Sequence, residues 1–293
     1  MDQLIESFRV PPESRLNLSD FDSANTSGFT KKEGKQRLKD CQEEMGALQE
    51  RLYAEDRHSL LIVFQAMDAA GKDSAIEHVM SGVNPQGCQV FNFKQPSREE
   101  YEHDFLWRHY KALPERGRIG IHNRSHYEYA LVCKVHPEYL LNERLPGIES
   151  LADIDPSFWE KRYESIRDLE KHLTRNGTSI LKFFLHVSKE EQKNRFLGRI
   201  NEEQKNWKFS PGDLEERALW DDYLSAYEEV LNATSTEDAP WYIIPADKKW
   251  FARMVIGKII VSTLNKLNPQ FPQLPDEEKR KLAQYKKRLE NDG

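Results

Sequence analysis

The 293-residue sequence has little cysteine and no apolar run long enough to cross a bilayer. Its three cysteines, Cys41, Cys88 and Cys133, are widely spaced and include no CxxC pair, which argues against a disulfide framework and against a thiolate metal site. The first residues lack the apolar core of a secretion signal. We therefore expect a cytoplasmic protein without a membrane partner.

Neither sign of charge dominates the sequence. The 43 basic residues are balanced by 49 acidic ones, for a net charge of −6, which argues against a general nucleic-acid-binding protein. Any affinity for a polyanion must therefore come from Lys and Arg residues that cluster locally. The hydrophobic fraction of 38% is enough for a substantial core, in one large α/β domain or two small ones.

The segment 60–74, LLIVFQAMDAAGKDS, carries the clearest functional signal. An apolar run ends in a turn of small residues, and a helix-like pattern that carries Gly71 and Lys72 follows. This layout is typical of a phosphate-binding loop, in which backbone N–H groups and a helix N-terminus face an anion while a Lys adds positive charge. The alternative is an ordinary strand–turn–helix unit, since such units also occur in α/β proteins that bind no nucleotide.

Two positions depart from the strict loop signature. Ala66 stands where that signature has Gly, and Asp73 stands where it has the Ser or Thr whose hydroxyl holds Mg2+. Asp68, four residues before Lys72, is the obvious substitute, because Mg2+ prefers one or two carboxylates together with phosphate oxygens and water. We therefore expect Mg2+ as the cofactor, with Mn2+ as an alternative.

Strand and helix patterns alternate along most of the chain. Apolar runs predict strands at 60–65, 88–93, 118–122, 179–187 and 241–245, with helices between them and a surface helix at 31–54. This alternation predicts one α/β domain over 1–293, with a parallel sheet of about five strands covered on both faces. Residues 1–29 are predicted to form an arm on this domain. Residues 269–293 are predicted to form a tail with a solvated helix, and a polyanion-binding tail is the alternative.

Functional residues in parallel sheets collect at the carboxyl ends of the strands. Lys94 follows the second predicted strand, where it either touches a phosphate or is a solvated turn residue. Arg124 follows the third strand and is our candidate for a clamp on phosphate, since phosphoryl transfer needs alignment and neutralised oxygen charge. The alternative for Arg124 is a buried ion pair with an acid such as Glu128. His122 and His126 are interpreted as structural histidines.

The segment 189–213, after the fourth predicted strand, is rich in cations and is interpreted as a lid. Arg195 and Arg199 are four residues apart, so both project from one helix face, and Lys205 and Lys208 flank a Trp in the following turn. A long phosphate chain needs several such cations. Because acids are interspersed in the segment, an ordinary solvated helical hairpin is the alternative.

Seven motifs, in order along most of the chain, resemble the polyphosphate kinase 2 family of the P-loop kinase superfamily. They are MDAAGKD at 67–73, HVMSGVNPQG at 78–87, FKQP at 93–96, HDFLWR at 103–108, GRIGIHNRSHYE at 117–128, KNWKF at 205–209 and WDDY at 220–223. The resemblance implies a three-layer P-loop kinase-like fold with a helical lid. It also implies transfer of phosphate between inorganic polyphosphate and AMP, ADP or ATP, and a homo-oligomer, either a dimer or a tetramer.

The resemblance assigns roles by position. The implied catalytic residues are Asp68, Lys72, Asn123, Arg124 and Glu128, of which Asp68, Asn123 and Glu128 would hold the metal. The implied phosphate-binding residues are Ala69, Ala70, Gly71, Lys72, Asp73, Lys94, Arg118, Arg124, Arg195, Arg199, Lys205 and Lys208. On the nucleotide side we expect Asp104, Trp107 and Arg108.

Three positions depart from the commonest family pattern. Many members have Asp where this chain has Asn123, and Asn where it has Glu128; this swap resembles the class III type, which phosphorylates AMP as well as ADP. Because Asn ligates Mg2+ less strongly than a carboxylate, Glu128 is expected to share the metal-binding task of position 123. Tyr129, where related chains often carry an acid, is the third departure.

Two other functions compete with this one. A nucleotide kinase of the thymidylate-kinase type shares the fold but uses ATP as the phosphate donor. A non-catalytic phosphate-binding regulator would explain the loss of Ser or Thr after Lys72 and of Asp at position 123. The presence of both Asp68 and Arg124 argues against the regulator. The direction of transfer, the preference between AMP and ADP and between adenine and guanine, and the oligomer size stay open.

Overall fold

The computed structural model describes residues 2–292 and contains a five-stranded parallel sheet. Its strands are β1 (Ser59–Gln65), β2 (Cys88–Asn92), β3 (Ile119–Asn123), β4 (Thr178–His186) and β5 (Trp241–Pro245). Every predicted strand is confirmed, with its ends within one residue of the prediction. β1 and β3 are buried along their whole length, which explains the continuous apolar run at 60–64 in β1.

Helices flank the sheet in two layers. They are α1 (Asp2–Glu6), α2 (Lys31–Glu55), α3 (Lys72–Val79), α4 (Trp107–Tyr110), α5 (Glu128–Val135), α6 (Pro156–Arg175), α7 (Lys189–Asn201), α8 (Gly212–Ala218), α9 (Trp220–Thr234), α10 (Lys249–Leu267) and α11 (Asp276–Glu290). Helices α2, α3 and α10 pack together as one layer, and α5, α6 and α9 as the other. The predicted three-layer α/β architecture is therefore confirmed.

The strand order β2-β3-β1-β4-β5 creates a crevice at one edge of the sheet. β1 leads through α3 to β2 on one side of it, whereas β3 leads through α5 and α6 to β4 on the other side. The carboxyl ends of these two neighbouring strands are level, since Phe64 pairs with Asn123. Their connections diverge at this point, and open α/β sheets bind ligands in the resulting crevice.

The N-terminal arm covers the outer edge of the sheet. Ile5, Phe8 and Val10 are buried against the core. The Val10 N–H donates to the Trp241 carbonyl, and the Ile243 N–H donates to the Phe8 carbonyl, both at 2.8 Å. The arm therefore pairs with the backbone of β5 and protects an edge strand that would otherwise offer unpaired groups to another chain.

The predicted surface helix at 31–54 is α2, which begins at a capping box. Thr30 accepts from the Glu33 N–H, and the Glu33 carboxylate accepts from the Thr30 N–H at 2.8 Å. Gly34 lies where α2 crosses α10, and a Cβ there would come within 2.3 Å of the Trp250 ring. Only glycine allows this close packing of the two helices.

The cation-rich segment and the C-terminal tail both contain helices. Residues 189–213 form α7, a short 3-10 helix at Glu203–Lys208 and the first residues of α8. The tail forms α11, in which every described side chain is at least partly exposed. Among the described residues, the helices lack the combination of length and apolar character that a bilayer span requires.

Candidate active site

The connection from β1 to α3 is a tight loop. Ala69 and Gly71 have positive φ angles of 58° and 104°, and Gly71 is the N-cap of α3. Such a conformation suits Gly71, because glycine has no Cβ to strain it. The loop therefore places the first N–H groups of α3 at the carboxyl edge of the sheet, where a phosphate can accept from them.

The Lys72 amine lies close to the loop backbone and donates to the Ala66 carbonyl at 2.8 Å. Burial, followed by the charge of Arg124, lowers the pKa of Lys72 to about 8, although Asp68 and Glu128 act in the opposite direction. A phosphate group beside this amine would stabilise its charged form. Lys72 is thus suited to bind an anion.

Arg124 joins the end of β3 to the loop after β1. Its backbone N–H donates to the Phe64 carbonyl at 3.1 Å, and its guanidinium donates to Asp68 Oδ1 at 3.0 Å. The Arg124 side chain keeps 39% of its surface exposed. This geometry differs from the alternative of a buried pair with Glu128, and it leaves guanidinium N–H groups to face a ligand.

The side chain of Asn123 links β3 to α3. Its Nδ2 donates to Asp73 Oδ1 at 2.5 Å, while its buried Oδ1 has no hydrogen-bond partner within residues 2–292. Burial raises the pKa of Glu128, against the opposing charges of Arg124 and Lys72. Asp68, Asn123 and Glu128 belong to the segments at the ends of β1 and β3, and an all-oxygen donor set fits Mg2+. Metal binding by these three residues stays a prediction.

A cavity of about 300 Å³ opens beside the Asp68–Arg124 pair. Its charged lining includes Asp68, Arg124 and Glu128. Its aromatic lining includes Tyr101, Tyr129, Tyr139, Trp220, Tyr223 and Tyr227. A cavity with a few convergent charges and an aromatic wall suits a small molecule that has both phosphate groups and a planar ring.

Two of the predicted binding residues line this cavity together. Arg108 donates to the Lys94 carbonyl at 2.8 Å and to Glu100 at 3.2 Å, and it packs over the ring of Tyr129. The Lys94 side chain lies at the cavity wall. The structure therefore places Lys94 and Arg108 where the sequence predicted a ligand.

Asp104 and Trp107 lie outside the cavity lining, and their assignment to the nucleotide side stays a prediction. Asp104 accepts from the Leu106 N–H at 2.9 Å, so it supports the start of α4. Trp107 stacks on His103, with ring centroids 3.8 Å apart. Neither residue lines the cavity.

The Arg195 side chain lies between the loop and the end of β5. Its guanidinium donates to the carbonyls of Ala69, Ala70, Ala246 and Asp247, and its Nε donates to Glu191 at 2.8 Å. These contacts occupy all three nitrogens of a side chain that is only 8% exposed. They suit a residue that holds the loop in position, and the predicted grip of Arg195 on the phosphate chain stays a prediction.

The other lid cations make contacts within the lid. Arg199 donates to the Lys208 carbonyl at 3.1 Å and to Asp213 at 3.4 Å. Lys205 pairs with Glu202, and the Lys208 amine lies 4.9 Å from the Trp207 ring centroid. Lys205 and Lys208 are exposed. Their binding to a phosphate chain stays a prediction.

Arg118 lies at the amino end of β3, at the opposite edge of the sheet from the loop, and its inclusion among the phosphate-binding residues stays a prediction. It precedes β3, whereas Arg124 follows β3, so the length of the strand separates it from the loop. Its guanidinium packs 4.6 Å from the ring centroid of Tyr53 and donates to the Gln86 carbonyl. These contacts tie the amino end of β3 to α2.

Two cationic side chains near the loop, Lys249 and Arg253, were not predicted from the sequence. A Cβ on Gly71 would lie 4.0 Å from Lys249 Cε, and Arg253 donates to Ser74 Oγ at 2.5 Å. Desolvation, and then the charges of Arg195 and Arg253, lower the pKa of Lys249. Lys249 follows β5, so the strand-end rule applied to this last strand would have found it.

Comparison with known proteins decides the family. The family model described as Polyphosphate kinase 2 matches residues 28–272. The chain belongs to the polyphosphate kinase 2 family. It is 50% identical over 285 residues to a protein of Rhodopseudomonas palustris named ADP-polyphosphate phosphotransferase, an alignment that covers 97% of this chain and 98% of that one.

Two further relatives agree with this assignment. A Meiothermus ruber protein named AMP/ADP-polyphosphate phosphotransferase is 44% identical over 271 residues, which cover 92% of this chain and 96% of that one. The crystal structure of Polyphosphate Kinase 2 from Arthrobacter aurescens TC1 matches with a TM-score of 0.85 and 38% identity, covering 95% of this chain and 96% of that one. The predicted resemblance and fold are therefore confirmed, and the thymidylate-kinase alternative is not supported.

Proposed function

We propose that this polyphosphate kinase 2 transfers the terminal phosphoryl group of inorganic polyphosphate to AMP and to ADP, which yields ADP and ATP. The proposal is carried by the position of Asp68 and Arg124 between two binding surfaces. The loop, with Lys72 and Lys249 beside it, suits a chain of phosphates. The aromatic cavity suits a nucleotide. Donor and acceptor can therefore meet at the Asp68–Arg124 pair from different sides.

Catalysis in this proposal rests on alignment and charge. An oxygen of the nucleotide phosphate attacks the terminal phosphorus of the chain, and the bond from that phosphorus to the next bridging oxygen breaks. The electron pair leaves on the shortened polyphosphate, where Lys72 and the N–H groups of α3 stabilise the charge. Arg124 holds the transferred group between the two oxygens. No covalent bond to the protein is formed.

Asp68 and Glu128 are the proposed carboxylate ligands of Mg2+, with Mn2+ as an alternative ion. Both residues line the cavity, and Oδ1 of Asn123, which has no hydrogen-bond partner among the described residues, is the third oxygen near the end of β3. The bound ion would neutralise charge on the phosphate oxygens. Burial raises the pKa of the Glu128 carboxyl. A cation bound beside it would lower that pKa, because the positive charge favours the ionised carboxylate.

Chromatographic analysis of the nucleotides tests donor and acceptor together. The purified protein is incubated with Mg2+ and AMP, or with Mg2+ and ADP, with either polyphosphate or ATP as the donor. We expect polyphosphate to convert AMP to ADP and ATP, and ADP to ATP. Product formed with ATP as the donor but not with polyphosphate would overturn the proposal in favour of a nucleotide kinase. Tight polyphosphate binding without any product would overturn it in favour of a regulator.

We also propose a cytoplasmic homo-oligomer, a dimer or a tetramer, in which 1–293 is one domain and nucleic acid is not a partner. The support is the family resemblance and the balance of 43 basic against 49 acidic residues. Light scattering at several protein concentrations measures the mass. A monomer at every concentration would contradict the oligomer.

A further inference from the structure

Three histidines lie together in the core beside the cavity. They are His109 in α4, His122 in β3 and His126 in the turn before α5, and each is at most 2% exposed. One nitrogen of each ring lies within 4.8 Å of a nitrogen of the other two. The ring of His109 packs against Phe93, with centroids 4.1 Å apart, and Phe93 lines the cavity.

These rings leave buried nitrogens without partners. Among the described residues, His109 Nδ1, His122 Nδ1 and both nitrogens of His126 find no hydrogen-bond partner. Buried polar atoms are rarely left without a partner unless a ligand or an ordered water completes them. The cluster therefore needs a group that can satisfy several imidazole nitrogens at once.

The hydrogen bond made by one ring shows which of its nitrogens carries the lone pair. His122 Nε2 donates to the Ala112 carbonyl at 3.0 Å, so its Nδ1 carries the lone pair. A histidine that donates from one nitrogen to a carbonyl and offers the other is arranged as a metal ligand.

We propose that His109, His122 and His126 form a buried site for Zn2+ or a neighbouring late first-row divalent ion. Imidazole nitrogen suits these borderline ions, whereas Mg2+ prefers oxygen, so the site is distinct from the carboxylates at Asp68 and Glu128. His126 Nε2 lies 3.9 Å from Glu170 Oε1, which places a carboxylate behind this ring. Water completes the fourth position.

Ion binding requires the cluster to contract. Zn–N distances of about 2.0–2.1 Å place tetrahedral nitrogens about 3.3 Å apart, so nitrogens that lie up to 4.8 Å apart must approach by about 1.5 Å. The 3.3 Å bond from Arg108 Nε to His109 Nε2 must also break. Arg108 would keep its ion pair with Glu100, in which the two side chains lie 3.2 Å apart. The bound ion would then tie α4, β3 and the segment after Arg124 into one unit.

Metal analysis of the whole protein tests this site. The protein is stripped with a chelator, incubated with Zn2+ in the presence of a large excess of Mg2+, dialysed, and measured for zinc by mass spectrometry. We expect about one Zn2+ per chain and a higher Tm. In a parallel sample, Co2+ should give the strong visible absorption of a tetrahedral site. Loss of zinc on dialysis, or only the weak spectrum of octahedral Co2+, would overturn the proposal and leave buried water as the partner.

A matched pair of variants separates this site from other histidines. H122F replaces the ring with one that suits the neighbouring Phe91 and Phe93, and it should reduce bound zinc at least tenfold. H172A removes an exposed histidine of α6 and should retain the wild-type amount. Equal zinc in the two variants would contradict the proposal. If H122F does not fold, the Co2+ spectrum of the wild-type protein still decides.

Discussion

Replacing Arg195 tests whether this side chain supports the loop or grips the phosphate chain. R195A would leave the carbonyls of Ala69, Ala70, Ala246 and Asp247 without their donor. A charge-assisted hydrogen bond contributes about 1.5–3 kcal/mol, but bonds to one guanidinium are not additive, and removing one partner of a buried charged group typically costs about 3–5 kcal/mol. We therefore expect the free energy of unfolding to fall by about 3–5 kcal/mol.

The control for this variant is R199A. Arg199 is 24% exposed and its one ion pair, to Asp213, is 3.4 Å long, so its removal should cost less than about 1 kcal/mol. R195K adds a second comparison, because it keeps the positive charge but loses the planar fork that reaches several carbonyls. We expect R195K to be nearly as unstable as R195A.

Urea unfolding followed by circular dichroism measures all three variants. A supporting role for Arg195 predicts a lower denaturation midpoint for R195A and R195K, with R199A close to wild type. A gripping role predicts the opposite pattern: wild-type stability for R195A, weaker polyphosphate binding, and rescue of that binding by R195K. The second result would refute our interpretation of Arg195.

Three further predictions follow from the site. R118A should change the rate of phosphoryl transfer less than twofold, because Arg118 lies at the far edge of the sheet; a tenfold loss would contradict this placement. The affinity for polyphosphate, measured by titration without Mg2+, should be highest below pH 8 and should fall about tenfold per pH unit above pH 8. The reason is that the pKa of Lys72 is about 8 in the unliganded protein and bound phosphate raises it. K72R should abolish this dependence of affinity on pH. N123D places a second carboxylate beside Asp73, at the position where Asn123 Nδ2 now donates to Asp73 Oδ1 at 2.5 Å. Because the two negative charges repel, the Tm of N123D should fall without Mg2+ and recover when Mg2+ is added. An equal fall in Tm with and without Mg2+ would argue against metal at position 123.

The strands could be predicted from sequence because their environment is simple. A strand that is covered on both faces consists mainly of apolar residues. The sequence therefore predicts β1, in which seven consecutive residues are buried. The loop could be predicted for the same reason, since the end of β1 fixes where Asp68 and Lys72 lie. The position of Arg124 beside this loop could also be predicted, because parallel strands share one carboxyl edge.

The direction in which a long side chain points could not be predicted. Helical spacing places Arg195 and Arg199 on one face of α7, but the packing of α7 against the loop decides that one is enclosed and the other is not. The interpretation of His122 and His126 as structural histidines stays a prediction. The sequence could not show that His109, from α4, packs against both rings, because only the folded chain brings the three together.

The most direct test of the account is the rate of ATP formation from ADP, polyphosphate and Mg2+ by K72M. The amine of Lys72 lies at the phosphate loop, so its loss should lower the maximal rate by about 100-fold or more while the circular dichroism spectrum stays unchanged. K248M, which removes an exposed amine beyond the end of β5, is the control and should retain the wild-type rate. A folded K72M with a rate near that of wild type would contradict the claim that this loop holds the phosphate chain during transfer.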